Sequence, residues 1–556
     1  MISIKACRML NEPAALYVHG VANPKLSEAI GHVPTATLVS GSSLWRVSVF
    51  HHQQLAEVIA KHTKVFEIVP DLILNLLKPR AWPTVHIETA IPLMPFQKEG
   101  VEFIMSHRGR GIIADGMGLG KTIQGIALIE QYPQLRPVVI VCPAAVKGNW
   151  KNHVRKYLGE DPKMMNSYKS KFNFAGINII SYSLCASQAF ESGLKLFQPK
   201  LIILDESHYI KNMKSKRTKC AFRWSQQADV CVLLTGTPMN RCVELYSQIK
   251  CVNPRMFAKF FHYQKHGRLT GVQTNVNKFD FFYATRYCKP ELKYAYGTEK
   301  LVFRGSENET ELHAVLREHV MIRRTKEEVL KDLPLKTREK VIIDEWKQVK
   351  PMDFSTDSAF MALILDTSQR KIPYIKKYIQ EILIEELKND DTLKILCWGY
   401  YHSMIDAIHD SFQESKIQCV KMDGRTSQAE REDIIADFQR SPDVRVAVLG
   451  LGSMNSGITL TAATLSVVME LALTPDIHLQ AEDRCHRIGQ SMPVTIRYLV
   501  CDGSTDDIVW RMLENKVKST GLVIDNQAAE WDPDGPRSSK RQKIENSIDT
   551  TCLDAL

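Results

Sequence analysis

Residues 111–122 read GIIADGMGLGKT, an apolar run followed by Gly116, Gly118 and Gly120 and closed by Lys121 and Thr122. A loop of small residues between a strand and a helix turns several backbone N–H groups toward one point, and the helix N-terminus adds partial positive charge there. Such a cradle suits phosphate. Lys121 is expected to reach the outer phosphates and the Thr122 hydroxyl to ligate Mg²⁺. The strict GxxxxGK[ST] spacing is missed, because Asp115 stands at the first glycine position. The expected nucleotide contacts are Asp115, Gly116, Met117, Gly118, Leu119, Gly120, Lys121 and Thr122; a tight structural turn is the competing reading of the same glycines.

Outward from this loop, short β-branched runs recur, each followed by turn residues and a helical pattern: GIIA (111–114), VVIVC (138–142), INIIS (177–181), LIILD (201–205) and VCVLLTG (230–236). That alternation predicts a parallel sheet with crossover helices. A second set follows after a gap: LKILCWG (393–399), IQCVKM (417–422), VRVAVLG (444–450), LSVVMEL (465–471) and VTIRYLV (494–500). The fold class is therefore α/β with two parallel-sheet lobes, over 89–252 and 384–515. Between them, 253–383 reads as helical insertions and a bridge, where Leu312, Val315, Leu316 and His319 form one helical stripe ending before Pro334. Residues 1–88 form a small N-terminal α+β unit, and 516–556 a polar tail carrying the basic cluster SSKRQK.

Composition bounds the remaining possibilities. A chain of 556 residues, 44% hydrophobic and 24% charged, exceeds one core and leaves little room for long disorder. The net charge of +10 favours a polyanionic partner. The 13 cysteines are scattered without a CxxC pair, so neither a zinc site nor a disulfide framework is indicated. The first residues lack the apolar stretch of a signal peptide, and nowhere do about 18 apolar residues run together. A soluble intracellular protein, nuclear or cytosolic, is expected.

Two further motifs carry chemistry. DESH (205–208) ends the LIILD strand; Asp205 could hold Mg²⁺ through water while Glu206 orients or deprotonates an attacking water. An acidic pair at a strand exit is otherwise simply solvated. QAEDRCHRIGQ (480–490) places Arg484 and Arg487 three apart, on what should be one helix face, so both guanidiniums could meet developing phosphate charge across a cleft. Ion pairing with Glu482 or Asp483 is the bland alternative.

With these three motifs in order, and TGTP (235–238) and DGRTSQAEREDIIADFQ (423–439) between them, the chain resembles the SWI/SNF-related ATPases of helicase superfamily two over roughly residues 90–515. GxGKT is similar to that family's phosphate loop, VCPAAVKGNW to its first DNA-strand motif, and GITL (457–460) to its fifth. The resemblance implies two RecA-like lobes with ATP and Mg²⁺ in the cleft and duplex DNA across both. It makes Gln97 the adenine reader and adds His208 and Gln480 to the nucleotide contacts. GTPMNRCVELYSQI, RYCKPELKYAYG and HVMIRRTKEEVLKDLPLKTRE narrow the likeness to the annealing-helicase, SMARCA-like subgroup, whose DNA-structure-sensing HARP domain SSLWRVSVFHHQQLAEVIAKH (42–62) faintly resembles, an unrelated helical cap or N-terminal extension being the alternative.

Two departures stand out: Gly116 replaces the family's usual acidic residue, and Leu473-Thr474 replaces the Trp-Asn before Pro475, removing one expected DNA-side contact. The implied function is a nuclear, monomeric, DNA-dependent ATPase that translocates on duplex, anneals strands and remodels forked or branched DNA in repair, with single-strand-binding or replication proteins as further partners and no membrane association. Lys147, Lys211, Lys214, Arg323 and Arg324 are the expected sequence-independent phosphate contacts. A nucleosome remodeller and a nucleotide-gated DNA scaffold with impaired hydrolysis are the alternatives. Trp45 reads equally as core packing or as a base-stacking platform.

Overall fold

The computed structural model describes residues 2–525 apart from 8–14, 20, 22, 40–43, 64–65, 68, 70, 79, 188–195, 258–272, 275–280, 296–297, 304, 344–356 and 454–457. The basic cluster of the tail lies outside the described residues. The chain opens with a mainly antiparallel sheet of β1 (Ile2–Cys7), β2 (Ala15–His19), β3 (Thr37–Leu38), β4 (Trp45–Ser48) and β5 (Phe66–Glu67), ordered β3-β4-β2-β1-β5. Trp45 is a packing residue. Its indole N–H donates to Ser27 Oγ at 3.0 Å, and its ring lies against Gly31, where an added Cβ would come within 3.2 Å.

The first lobe carries β6 (Arg110–Ile113), β7 (Val138–Cys142), β8 (Lys163–Met165), β9 (Ile177–Ser181), β10 (Leu201–Asp205) and β11 (Val230–Leu234). Every ladder in this sheet is parallel. Because crossover helices cover both faces, its central strands are buried on both sides, which is why VVIVC, LIILD and VCVLL read as unbroken apolar runs rather than alternating ones. The insertion that follows is not purely helical: β12 (Gln273–Thr274), β13 (Pro290–Ala295) and β14 (Thr298–Phe303) form a small sheet of their own.

The expected helix then runs Glu309–His319, and its stripe of Leu312, Val315, Leu316 and His319 is buried. It stops well short of Pro334, at Val320. The chain there becomes extended, and β15 (Met321–Ile322) adds to the first sheet beside β6, with Met321 opposite Ile112.

A few residues later the chain has changed lobes. β16 (Lys336–Ile342) pairs in parallel with β21 (Val494–Val500), in a second sheet completed by β17 (Ile395–Gly399), β18 (Cys419–Met422), β19 (Val446–Gly450) and β20 (Leu465–Val468), ordered β16-β21-β20-β17-β19-β18. The last helix among the described residues, Thr505–Ile524, returns to the first lobe: Val523 and Ile524 join the core that contains Leu312, and Asp525 pairs with Arg323. Among the described residues no helix is long and apolar enough to cross a membrane.

Candidate active site

The loop between β6 and the helix Lys121–Gln131 is shaped by two left-handed glycines, Gly118 at φ +80° and Gly120 at φ +74°. Residues with a Cβ rarely adopt that backbone, so the loop's small residues are a geometric requirement. Lys121 opens the helix, and its ammonium donates to the carbonyls of Asp115 (2.9 Å) and Gly116 (3.1 Å). Burial lowers the Lys121 pKa, while Glu206, Asp115 and Asp205 pull it back up. Gly236 of TGTP closes the floor, since a Cβ there would sit 2.5 Å from Met117 Cγ and 3.4 Å from the Lys121 ammonium. Gln97 braces the loop from the side: its amide donates to Leu119 O at 3.1 Å and accepts from Met94 N at 2.9 Å.

Asp115 faces away from this cradle. Its carboxylate is fully buried and takes Arg324 at 2.6 and 2.8 Å and the Gln124 amide at 2.9 Å. Its carbonyl, not its carboxylate, faces Lys121, so the expected nucleotide contact of Asp115 would run through its backbone: a carboxylate satisfied by a guanidinium in the interior has nothing to gain from a phosphate. Gly116 donates its N–H to Arg324 O at 2.9 Å, and a Cβ there would meet nothing closer than 3.4 Å. The departure from the family pattern at this position is therefore not imposed by space.

Asp205 and Glu206 leave the end of β10 beside Lys121. The Asp205 carboxylate accepts from Trp150 Nε1 at 2.7 Å and from Glu206 N at 3.0 Å. Burial and the adjacent Glu206 charge push its pKa up to about 7, against the pull of Trp150 and Lys121. Glu206 sits in left-handed backbone at φ +49°, a strained conformation for a residue with a side chain. Burial opposes its charge too, but the His208 hydrogen bond and charge, with Lys121 and Arg484, outweigh that and hold its carboxyl below the usual range. His208 Nδ1 lies 3.3 Å from Glu206 Oε2 and 3.4 Å from Thr235 Oγ1.

Lobe two meets this pocket through its arginine run. The helix Pro475–Glu482 ends before the arginines, with Gln480 buried on it, so Arg484 and Arg487 lie on the turns beyond rather than on one helix face. They converge nonetheless. Both direct an Nη toward Ile458 O, at 3.5 and 2.9 Å, and Arg487 also donates to Thr459 Oγ1 at 2.8 Å. The Gln490 amide pins the turn by donating to the carbonyls of Thr461, Ala463 and Cys485. Arg487 crosses to the phosphate loop, where a Cβ on Gly118 would lie 3.2 Å from its Cβ and 3.8 Å from its Nε. Arg484 reaches the field of Glu206, and burial together with the like charge of Arg487 pushes it down to about 10. The Nε atoms of both are buried with no hydrogen-bond partner among the described residues.

Two crowded guanidiniums with unsatisfied donors, facing a glycine loop that a Cβ would obstruct, fit a polyphosphate. The buried Asp205 carboxylate has the chemistry to take Mg²⁺, which keeps waters and takes few protein ligands, and Thr122 follows Lys121 at the start of the loop's helix; among the described residues no cluster of three or more metal-binding side chains offers a full cage.

Three expected DNA contacts prove to be internal. Arg324 is held by Asp115; Arg323 donates to Ala114 O and Gly236 O and pairs with Asp525; the buried Lys147 ammonium donates to Met165 O and Asn166 Oδ1. Each cation found oxygen acceptors that only the tertiary fold supplies: carbonyls and a carboxylate for the two arginines, a backbone carbonyl and an amide oxygen for Lys147. Lys214 remains exposed and Lys211 partly so, paired with Glu244 at 3.4 Å. Leu473 packs against the second lobe's core, its carbonyl accepting from the Lys516 ammonium at 2.8 Å. The sequence reading missed Trp150 as a partner of Asp205, the inter-lobe bond from Asn240 Nδ2 to Asp476 at 2.6 Å, and Lys326, whose ammonium donates to Asp483 in lobe two. VKGNW and RRTK were visible as motifs, but nothing local shows where their side chains end.

Fold and site define a two-lobed nucleotide-binding core whose pocket is assembled from both lobes. The chain belongs to the SNF2-related family. Residues 96–350 match the SNF2-related domain and 377–489 the helicase conserved C-terminal domain. It is 30% identical over 546 residues, 92% of this chain and 68% of the relative, to the SWI/SNF-related matrix-associated actin-dependent regulator of chromatin subfamily A-like protein 1 of Drosophila melanogaster. It is 33% identical over 463 residues to the DNA annealing helicase and endonuclease ZRANB3 of Mus musculus, a match taking in 78% of this chain but 41% of that protein, so the chain spans less than half of the longer relative. The SWI2/SNF2 ATPase core of Sulfolobus solfataricus, solved in complex with dsDNA, aligns with 78% of this chain and 92% of its own at 22% identity and a TM-score of 0.38.

Proposed function

We propose that the chain is a DNA-dependent ATPase that translocates on duplex DNA, anneals strands and remodels forked or branched DNA. One observation carries the reading: Arg484 and Arg487 of lobe two stand over the phosphate loop and Glu206 of lobe one, so a complete site exists only when the lobes meet. ATP with Mg²⁺ supplies the phosphoanhydride whose cleavage drives the cycle. Lys121 and the loop N–H groups hold phosphate oxygens, Thr122 and Asp205 hold the metal, and Glu206, kept anionic by His208, orients water and accepts its proton. Arg484 and Arg487 oppose the negative charge that develops.

Because the pocket draws on both lobes, turnover alternately ties and releases them, and each release lets one lobe regrip the duplex. Lys211 and Lys214 are the surface cations that serve this grip, as sequence-independent phosphate contacts. The relatives' names, a DNA annealing helicase and a regulator of chromatin, support DNA strands as the substrate and residence in the nucleus; fork and branch substrates, with replication or single-strand-binding proteins as partners, extend that reading. The pocket is complete within one chain, which supports a monomer.

Phosphate release measured on single-stranded, duplex and forked DNA tests the proposal. Stimulation greatest on forked DNA and abolished by Lys121→Ala or Glu206→Gln is expected. Greater stimulation by nucleosomes than by bare DNA would make it a remodeller, and nucleotide-dependent DNA retention without phosphate release a scaffold.

A further inference from the structure

Lys326 joins the two halves of the pocket by a route that no part of the proposed chemistry uses. The segment leading to it runs alongside the phosphate loop: Ala114 N donates to Ile322 O, Gly116 N to Arg324 O, and the Arg324 guanidinium holds the Asp115 carboxylate. Thr325 then turns the chain with a capping box to Glu328, which fixes Lys326 as the first residue of a short helix. Its aliphatic stem passes the loop, Cε lying 3.7 Å from where a Cβ on Gly118 would stand. Its ammonium ends in lobe two, donating to Asp483 Oδ1 at 2.6 Å and to His486 O at 2.5 Å.

These two acceptors are the residues immediately before Arg484 and Arg487. One lysine anchored to the phosphate loop therefore grips the chain next to each arginine. The other contacts to this turn come from residues at or beyond the crossing into lobe two: Lys336 and Arg338 of β16 hold Glu482, and His486 Nε2 lies 2.8 Å from Pro334 O. They shape the turn without fixing it relative to the loop, and the inter-lobe bond from Asn240 reaches Asp476 at the start of the preceding helix, not the turn itself. Lys326 is 7% exposed, and burial lowers its pKa while Asp483 opposes the shift. A buried charge of this kind is worth retaining where it sets a register rather than bulk stability.

We propose that Lys326 is a positioning residue: a latch that sets Arg484 and Arg487 in register with the phosphate loop and holds the lobes together. The inference rests on the proposed ATPase reading for its consequence, but its geometry is testable without nucleotide. Fluorophores introduced as unnatural amino acids at exposed Gln134 of lobe one and exposed Glu414 of lobe two report the distance between lobes in the full chain.

Lys326→Met is expected to lower transfer efficiency in the absence of nucleotide, and Lys326→Arg, which keeps the charge and the reach to Asp483, to restore it. In phosphate release on forked DNA, Lys326→Met should lower kcat on the order of 100-fold, the scale of a small misplacement of catalytic groups. Binding of a fluorescent ADP to the lobe-one loop should stay within about twofold, because that loop remains folded. Asp483→Asn, which keeps an acceptor but removes the charge, should fall between. Unchanged transfer in Lys326→Met would overturn the latch, as would a kcat loss matched by an equal loss of ADP binding or not rescued by arginine. If the wild-type chain releases no phosphate on any DNA, the ATPase reading fails, and the transfer measurement still decides the latch by itself.

Discussion

Replacing Arg324 with methionine separates the structural account of this residue from the DNA-contact role its motif suggests. The guanidinium lies 2.6 and 2.8 Å from the two oxygens of Asp115, whose carboxylate is 0% exposed, and also donates to Phe96 O. Methionine fills much of the same volume but leaves the Asp115 charge with only the Gln124 amide and the Arg324 backbone N–H. Removing one partner of a buried pair costs about 3–5 kcal/mol, because the remaining charge is stranded in a low-dielectric site.

For a lobe of this size that corresponds to a fall in melting temperature on the order of 10 °C. A phosphate contact would behave oppositely, with a stability change within about 0.5 kcal/mol and a loss of about one from the slope of log affinity against log salt. Thermal unfolding and DNA binding across a salt series therefore give distinct answers. Pairing Arg324→Met with Asp115→Leu should recover most of the lost stability, since the stranded charge is gone. An unchanged melting temperature together with a shallower salt slope would refute the assignment.

The pH response and the loop glycines give further tests. Asp205 has its folded pKa raised to about 7, so the free chain binds a proton there that the unfolded chain does not. That contribution to stability is present at low pH and is lost as pH rises from the ordinary aspartate range through about 7. A metal must displace the same proton, so the Mg²⁺ concentration for half-maximal phosphate release should climb by up to about tenfold per pH unit below 7, and flatten above it. Gly116→Ala should stabilise the chain by about 0.4–1 kcal/mol in urea unfolding, because the site has room for a methyl group and its φ lies outside the left-handed region. Gly118→Ala, at φ +80° and against Arg487, should instead destabilise it and slow turnover.

The extent to which this site was readable from sequence follows the range of the interactions. The glycine loop, the DESH strand exit and the arginine run are each defined by a few consecutive residues whose backbone geometry is local, and the β-branched runs announced both sheets because parallel strands covered on two faces must be apolar throughout. What escaped depended on the fold. Arg323, Arg324 and Lys147 look like surface cations until tertiary packing brings carbonyls and Asp115 around them. Lys336 and Arg338 fall in a stretch read as helical bridge, yet the strand they belong to completes the second sheet through pairing with Val494 and Ile496, residues far along the chain. The arginines converge from turns and not from a helix, because Gln490 and Lys326 hold the turn from outside it.

The most direct test of the account is the steady-state phosphate release of Arg487→Ala on saturating forked DNA. If the second lobe supplies the cations that complete the first lobe's pocket, turnover should fall on the order of 1000-fold while nucleotide still binds the intact glycine loop. Turnover within a few-fold of the wild-type chain would show that the two lobes do not build one site.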